Sequence, residues 1–182
     1  MSLARLATRA VVGGLFVGHG TQKLFGWFDG HGIEPTAQMF DQIGMRPGVR
    51  NAYAAGITEA GAGALFALGA ATPLAAAGLI GTMTTAIAKV HAPNGPWVSQ
   101  QGYEYNAVLI AACALIAEAG PGKLSIDALR GKADGSVKAG LGALLLGLAA
   151  SYASMELAKR APAGAPPAPL EEPTAAATAD AG

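Results

Sequence analysis

The sequence predicts an all-α protein: a transmembrane four-helix bundle with an additional C-terminal transmembrane helix. Three features of the 182 residues lead to this prediction. Hydrophobic residues make up 52% of the chain. Charged residues make up only 13%, which is about half their share in an ordinary soluble domain. The apolar residues also group into segments close to the roughly 20 residues that a helix needs to cross a bilayer.

Five segments are candidate membrane spans. Thr72-Pro73 forms a very short turn between the second and the third, and proline is well suited to the first position of a helix. The fourth ends at Gly120-Pro121-Gly122, a strong helix-breaking sequence. The segments lie at about residues 7–25, 52–71, 73–90, 102–119 and 137–157.

These segments divide the chain into three parts. Residues 1–130 are predicted to form the four-helix bundle, and residues 131–160 the additional helix. Residues 161–182 are rich in Pro and Ala and are expected to be disordered, since they carry too few large apolar side chains to form a core. Within the bundle, the stretch around Thr36, Met39 and Phe40 is predicted to be a short helix lying over the spans.

Small residues recur at a spacing of four, which lets membrane helices approach closely. The pairs are Gly14 with Gly18, Gly56 with Ala60, and Ala60 with Ala64. Arg5, Arg9 and the compact basic loop at residues 123–138 lie at one end, whereas Arg46, Arg50, Lys159 and Arg160 lie at the other, so the count of basic residues alone leaves the absolute topology open. Because basic loops stay on the cytoplasmic side, we expect the N-terminus to be cytoplasmic.

Charge and cysteine content exclude several classes of function. Twelve Lys and Arg balance twelve Asp and Glu, and this neutral chain lacks the basic surface of a nucleic-acid-binding protein. The single cysteine, Cys113, excludes a disulfide framework and a CxxC redox pair, and its position between alanines is typical of a packing residue. The sequence also lacks a P-loop, a dinucleotide-binding glycine motif and a nucleophile elbow.

Ionisable residues within the spans point to a candidate site. Such residues are costly in a bilayer and usually face the interior of a bundle or a cavity. We call the end where the first span begins face A and the opposite end face B. The order of the spans places the six ionisable candidates in the half near face B, with Glu59 roughly 12 Å along the second span. The candidate cofactor-binding residues are His19, Gln22, Lys23, Glu59, Lys89, His91 and Glu104.

Each of these residues could instead have a purely structural role. Lys23, Lys89, His91 and Glu104 lie near span ends, from which their side chains could reach the interface. Glu59 is too deep for that, and its structural role would be an ion pair between helices. Two His residues on different helices are too few for a metal site, so no metal is expected. The aromatic residues near face B are typical of an interfacial belt; they are Trp27, Phe28, Trp97, Tyr103 and Tyr105.

The run GHGTQKLFGWFDGHGIEPTAQMF, residues 18–40, resembles the opening of the DoxX family of bacterial membrane proteins. Later stretches agree with the resemblance, which covers roughly residues 5–130. They are ITEAGAGALFALGAATPLAA, Lys89-Val90-His91, Gly102-Tyr103-Glu104 and Gly120-Pro121-Gly122 followed by Ser125-Ile126-Asp127. The fifth span and the Pro/Ala-rich tail depart from the family pattern.

The resemblance implies a multi-pass protein of the bacterial plasma membrane. Related small subunits are linked to sulfur oxidation with quinone as the electron acceptor. Other members resemble membrane scaffolds for an oxidative-stress assembly that contains superoxide dismutase and a thiosulfate sulfurtransferase. The family defines no catalytic residues that could be carried over, so the catalytic residues remain unknown and the chain is expected to be a non-catalytic membrane subunit.

Three hypotheses of function follow. The first is a subunit or scaffold of a redox or detoxification complex, embedded in the lipid bilayer and binding soluble redox enzymes. The second is a quinone-binding small subunit of a membrane oxidoreductase, with the ligand among the polar residues near face B. The third is a small proton-coupled transporter that uses the same buried charges. The sequence leaves the oligomeric state, including a homo-oligomer, undetermined.

Overall fold

The computed structural model describes residues 3–161, which form helices and no strand. The predicted all-α class is confirmed. Residues 162–182, nearly all of the predicted tail, lie outside the described part of the chain. The helices are α1 Leu3–Phe25, α2 Ile33–Gln42, α3 Gly48–Leu68, α4 Thr72–Ala86, α5 Glu104–Ala119, α6 Ile126–Leu129 and α7 Val137–Lys159. After α4, a π-helical turn at Ile87–His91 and 3₁₀ turns at Ala92–Asn94 and Val98–Gln100 lead to α5.

Two helical segments of the described chain are long and apolar enough to cross a membrane. They are Thr72–Asn94 and Val137–Lys159. They correspond to the third and fifth predicted spans. The other three predicted spans form α1, α3 and α5, none of which is both long and apolar enough to count among them. One physical reason is length: the 16 residues of α5 rise only about 24 Å, whereas the hydrocarbon core is about 30 Å thick.

Helices α1 and α3 pack closely through glycines. A Cβ on Gly13 would lie 2.5 Å from the carbonyl oxygen of Gly63, and one on Gly20 would lie 2.7 Å from the carbonyl oxygen of Gly56 and from the Cβ of Ala60. The predicted role of Gly56 and Ala60 is therefore confirmed. The predicted role of Gly14 and Gly18 is wrong, since a Cβ on either would meet no atom within 4 Å. The glycines that α3 contacts lie on another face of α1.

Helix α7 belongs to the bundle and packs along α4. A Cβ on Gly147 would lie 2.7 Å from the Cγ2 of Ile80, and Gly81 faces the backbone of Gly147 in turn. The main core lies between α1, α3, α4, α5 and α7, and Cys113 is buried in it at 1% exposure, as predicted for a packing residue. A second, smaller core joins α2 to α3, where Phe40 and Met45 pack with Ala52. The predicted short helix over the bundle is therefore present as α2.

At face A, the turn between α3 and α4 is held by Asp127. Helix α3 ends at Gly69, whose φ of 64° is left-handed, and the N–H of Ala70 donates to the carbonyl oxygen of Leu65 at 2.8 Å, closing the helix end. The Asp127 carboxylate accepts hydrogen bonds from the N–H of Ala71 at 2.9 Å, from the N–H of Thr72 at 2.9 Å and from the Thr72 hydroxyl at 2.8 Å. A distant carboxylate thus caps the start of α4.

The protonation of Asp127 reflects this environment. Burial raises the pKa of the Asp127 carboxyl, but the hydrogen bonds from Thr72 and Ala71, together with the charge of Arg130, outweigh burial and hold the pKa below its usual value. Asp127 is only 5% exposed. The carboxylate is therefore kept in its charged form, in which both oxygens can accept hydrogen bonds.

Arg9 is the second buried charge at face A. The sequence placed it with the basic residues that set the orientation, yet the structure buries it completely, at 0% exposure. Its Nη1 donates to the carbonyl oxygen of Ala67 at 3.3 Å, and its Nη2 donates to that of Leu124 at 2.6 Å. Arg9 therefore ties the start of α1 to the end of α3 and to the segment before α6.

Candidate functional site

The fold brings one end of each long helix to face B. Helix α1 is antiparallel to α3, whereas α4 and α7 run side by side in the same direction. The C-terminal half of α1, the first half of α3 and the end of α4 therefore meet. This is the convergence that the span order predicted, and it positions the ionisable side chains described below.

Lys23 and Glu59 form an ion pair between α1 and α3. The Lys23 Nζ lies 2.6 Å from Glu59 Oε2, and the two side chains are 25% and 6% exposed. Lys23 Nζ also donates to the carbonyl oxygen of His19 at 3.4 Å. The side chain of Lys23 thus turns towards the deep acid, and Glu59 has the interhelical ion pair that its depth suggested. Pairing lowers the cost of burying both charges.

A cavity of about 640 Å³ adjoins this ion pair. Four of the predicted residues line it, namely His19, Lys23, Glu59 and His91. Most of the remaining wall is apolar and includes Phe16, Met39, Phe40, Met45, Met83 and Leu109. Its volume lies in the range of about 300–1,000 Å³ that is typical of small-molecule sites. The cavity therefore offers an apolar volume with a few charged and polar groups at defined places.

The π-helical turn after α4 contributes one of these groups. His91 Nδ1 lies 2.8 Å from the carbonyl oxygen of Gln101. Because a carbonyl oxygen can only accept, Nδ1 carries the proton in this contact, which fixes the orientation of the ring. Such π-helical turns often occur at functional sites.

The other three predicted residues do not line the cavity. Gln22 donates from Nε2 to the carbonyl oxygen of Phe28 at 3.2 Å and contacts His19 Nδ1 at 3.1 Å. Glu104 accepts from the N–H of Val98 at 2.8 Å, so it holds the turn before α5. Lys89 lies on the π-helical turn, outside the lining. These residues share the end of the bundle but not the site, and whether the other four bind a cofactor stays a prediction.

Sequence reasoning missed several polar residues of the cavity. Asn51 donates to the carbonyl oxygens of Met45 and Pro47, both at 3.0 Å, and Asn106 donates to the Met83 sulfur at 3.3 Å. Ser151 and Ser154 of α7 also line the wall. Their i, i+3 spacing in an apolar segment was the available signal, but nothing in the sequence indicated that α7 reaches this cavity. Two further lining residues, Thr82 and Thr85, are visible in the sequence, where they form a polar stripe with Lys89 at i, i+3 and i+7 of the third predicted span.

The lining indicates what the cavity can bind. It combines the cation of Lys23 and the carboxylate of Glu59 with neutral hydroxyl groups. Within residues 3–161, no group of three or more His, Cys, Asp or Glu side chains could hold a metal ion. The chemistry of the described residues is therefore that of a hydrogen-bonding site for a small, largely apolar molecule.

Exposed aromatic residues surround the loop that follows α1. The rings of Phe25 and Trp27 have centroids 5.3 Å apart, and those of Trp27 and Phe28 lie 6.5 Å apart. All three side chains are exposed, as is Trp97 in the connection between α4 and α5. Large aromatic side chains at one end of a bundle are typical of a membrane–water interface.

Comparison with known protein families finds one family model that matches part of this chain. Residues 4–92 match the family model DoxX, and this range covers α1 to the π-helical turn, with Lys23, Glu59 and His91 inside it. The chain has no match among curated proteins and none among solved structures. The resemblance seen in the sequence is confirmed over residues 4–92, while the stretches at 102–104 and 120–127 lie outside the match. Two helical segments are long and apolar enough to cross a membrane. Residues 4–92 therefore form a DoxX domain, which indicates a membrane protein of the DoxX type.

Proposed function

We propose that this protein is a multi-pass subunit of the bacterial plasma membrane that serves a redox or oxidative-stress complex and binds a quinone in its face B cavity. The observation that carries the proposal is the ion pair of Lys23 with the buried Glu59 beside a largely apolar cavity of about 640 Å³. A structural ion pair needs no such volume next to it.

The donor set fits a quinone. The Lys23 ammonium can donate to a quinone carbonyl oxygen, and the Glu59 carboxylate can accept from a quinol hydroxyl. The aromatic ring and its substituents would contact Phe16, Phe40 and Leu109. A bound quinone would bring electron-accepting chemistry, whereas the side chains of this chain hold and orient it.

Binding to the purified protein tests this proposal. We suggest titrating the full chain in mild detergent with duroquinone, followed by calorimetry. Wild type is expected to bind, and Glu59→Gln should weaken binding by about tenfold or more, because a hydrogen bond to a charged group contributes about 1.5–3 kcal/mol. Glu118→Gln is the matched control, since Glu118 is exposed and does not line the cavity.

The outcomes separate cleanly. Binding by wild type and by Glu118→Gln, with loss in Glu59→Gln, supports the quinone site. No binding by wild type, or equal binding by Glu59→Gln, contradicts it. A detergent melting curve for each variant shows that the protein measured is folded.

The subunit role has its own test. The family resemblance suggests superoxide dismutase and a thiosulfate sulfurtransferase as soluble partners. A pull-down of the full chain in mild detergent, with mass spectrometry of proteins and lipids, should recover such redox enzymes in a fixed ratio. If neither enzyme co-purifies from cells that express both, the scaffold part of the proposal fails while the quinone site can still stand.

A further inference from the structure

Helix α7 brings a hydroxyl pair into the cavity. The Oγ1 of Thr85 on α4 and the Oγ of Ser151 on α7 lie 2.8 Å apart, and both residues line the cavity. Ser151 is only 2% exposed. Thr85 also lies within hydrogen-bond distance of the carbonyl oxygen of Gly81, at 3.0 Å. The pair thus joins a buried hydroxyl to a half-buried one on a part of the wall supplied by α4 and α7, whereas Lys23 and Glu59 belong to α1 and α3.

The packing of α4 against α7 holds this pair in place. Gly81 and Gly147 allow the two backbones to approach: a Cβ on Gly81 would lie 3.2 Å from the carbonyl oxygen of Gly147. Helix α7 lies outside the family match at residues 4–92. The hydroxyl pair is therefore a feature that the additional helix brings to the DoxX domain.

Counting protons shows what the pair can do. A hydroxyl has one proton to donate and two lone pairs to accept. If Thr85 donates to Gly81, Ser151 donates to Thr85, and the lone pairs of Ser151 are left to accept from a ligand. If Thr85 donates to Ser151 instead, the proton of Ser151 is left for a ligand. Rotation of two hydroxyl groups therefore converts this position from an acceptor to a donor.

The Lys23–Glu59 pair has the same double capacity, because it also contains a donor and an acceptor. We infer that the Thr85–Ser151 hydroxyl pair is a second anchor of the cavity, and that the ligand is a ring compound with two oxygens in both its carbonyl and its hydroxyl form. This inference rests on the proposed quinone site and specifies it: one oxygen binds at Lys23–Glu59 and the other at Thr85–Ser151.

Three ring compounds of the same shape test the inference with the full chain in mild detergent. Duroquinone has two carbonyl oxygens, durohydroquinone has two hydroxyls, and 2,3,5,6-tetramethylphenol has one hydroxyl. Wild type should bind the two-oxygen compounds about five- to tenfold more tightly than the phenol, as expected for one additional neutral hydrogen bond. This comparison needs no variant.

Variants then locate the second anchor. Ser151→Ala and Thr85→Val should each weaken duroquinone binding by about five- to tenfold and leave phenol binding within about twofold. Thr85→Ser should restore the affinity because it restores the hydroxyl. Thr84→Val is the matched control: the Thr84 hydroxyl donates to the carbonyl oxygen of Ile80, and the residue does not line the cavity.

The failures of the two proposals differ. If wild type binds duroquinone but no more tightly than the phenol, or if Ser151→Ala and Thr85→Val bind it like wild type, the second anchor is wrong and the quinone site stands. If wild type binds none of the three compounds, the quinone site itself is wrong. Melting curves identify a variant that fails to fold, and the wild-type comparison remains decisive in that case.

Discussion

Each end of the bundle holds a cation and a buried acid, but the two ends use these charges differently. At face A, Asp127 accepts three hydrogen bonds from the start of α4, and Arg9 binds two carbonyl oxygens. The space beside Arg9 amounts to only about 10 Å³. At face B, Lys23 and Glu59 bind each other beside about 640 Å³.

This difference separates a structural role from a binding role. The charges at face A form hydrogen bonds mainly with backbone groups of the α3–α4 turn and its surroundings, so they stabilise that turn. The charges at face B leave lone pairs and protons directed at a volume large enough for a small molecule. We therefore expect changes at face A to alter stability and changes at face B to alter binding.

The largest effect is expected from Asp127→Ala. The change removes three hydrogen bonds and leaves the N–H of Thr72 and the buried cation of Arg9 without the acid. Hydrogen bonds to a charged group contribute about 1.5–3 kcal/mol each, so the loss of three should cost about 3–5 kcal/mol after partial compensation by water. Thermal unfolding in detergent measures this loss of stability. Asp134→Ala is the control, because the Asp134 side chain is 89% exposed. Equal melting of the two variants would show that face A is not a structural anchor.

Gly69→Ala should have the next largest effect, about 2–3 kcal/mol. A left-handed φ costs a residue with a Cβ about 1–2 kcal/mol. In addition, the Cβ would overlap the guanidinium of Arg9 and approach the Cβ of Ser125. The control is Gly131→Ala, because Gly131 has a φ of 74° and open space around it. The difference in melting temperature between Gly69→Ala and Gly131→Ala measures the cost of the overlap with Arg9 and Ser125 alone. Equal melting temperatures would contradict the tight packing around Arg9.

A double-mutant cycle of Lys23→Met and Glu59→Leu should separate stability from binding at face B. Each single variant leaves one charge without its partner and should lose about 1.5–3 kcal/mol. The double variant should recover most of that loss, because apolar side chains can replace an ion pair at little cost. Duroquinone binding should nevertheless remain lost in the double variant. Recovery of binding together with stability would mean that the pair serves the fold only.

The pH dependence of stability is the smallest expected effect. Because the pKa of Asp127 is lower in the folded state than in the unfolded one, its contribution is complete above the unfolded pKa, which is about 3.9 for Asp. The contribution is lost as the pH falls through the folded pKa. Wild type should therefore lose more stability than Asp127→Asn between neutral and acidic pH. Parallel melting curves across that range would contradict the charged state of Asp127.

The sequence was sufficient to predict much of this arrangement. Glycine and proline breakers located the ends of the helices, as at Thr72-Pro73 and Gly120-Pro121-Gly122. The order of the spans was enough to predict that Lys23, Glu59 and His91 share one end of the bundle. Depth alone indicated that Glu59 needs a partner.

The features that the sequence did not predict depend on contacts between distant residues, which the spacing of residues along the chain does not reveal. A cation near the start of an apolar segment is typical of an interface, so the burial of Arg9 becomes visible only when carbonyls from residues 67 and 124 meet it. Glu104 resembled a site residue, but it binds a backbone N–H six residues before it. Helix α1 has glycines on several faces, and only its packing against α3 shows that Gly13 and Gly20 are the ones in contact.

One measurement tests the contrast between the two ends most directly: duroquinone affinity and melting temperature determined together for wild type, Glu59→Gln and Asp127→Ala. We expect Glu59→Gln to lose binding by about tenfold or more while its melting temperature falls less than that of Asp127→Ala, and Asp127→Ala to melt much earlier while its folded fraction binds like wild type. The account is contradicted if the folded fraction of Glu59→Gln binds normally and its melting temperature falls as far as that of Asp127→Ala.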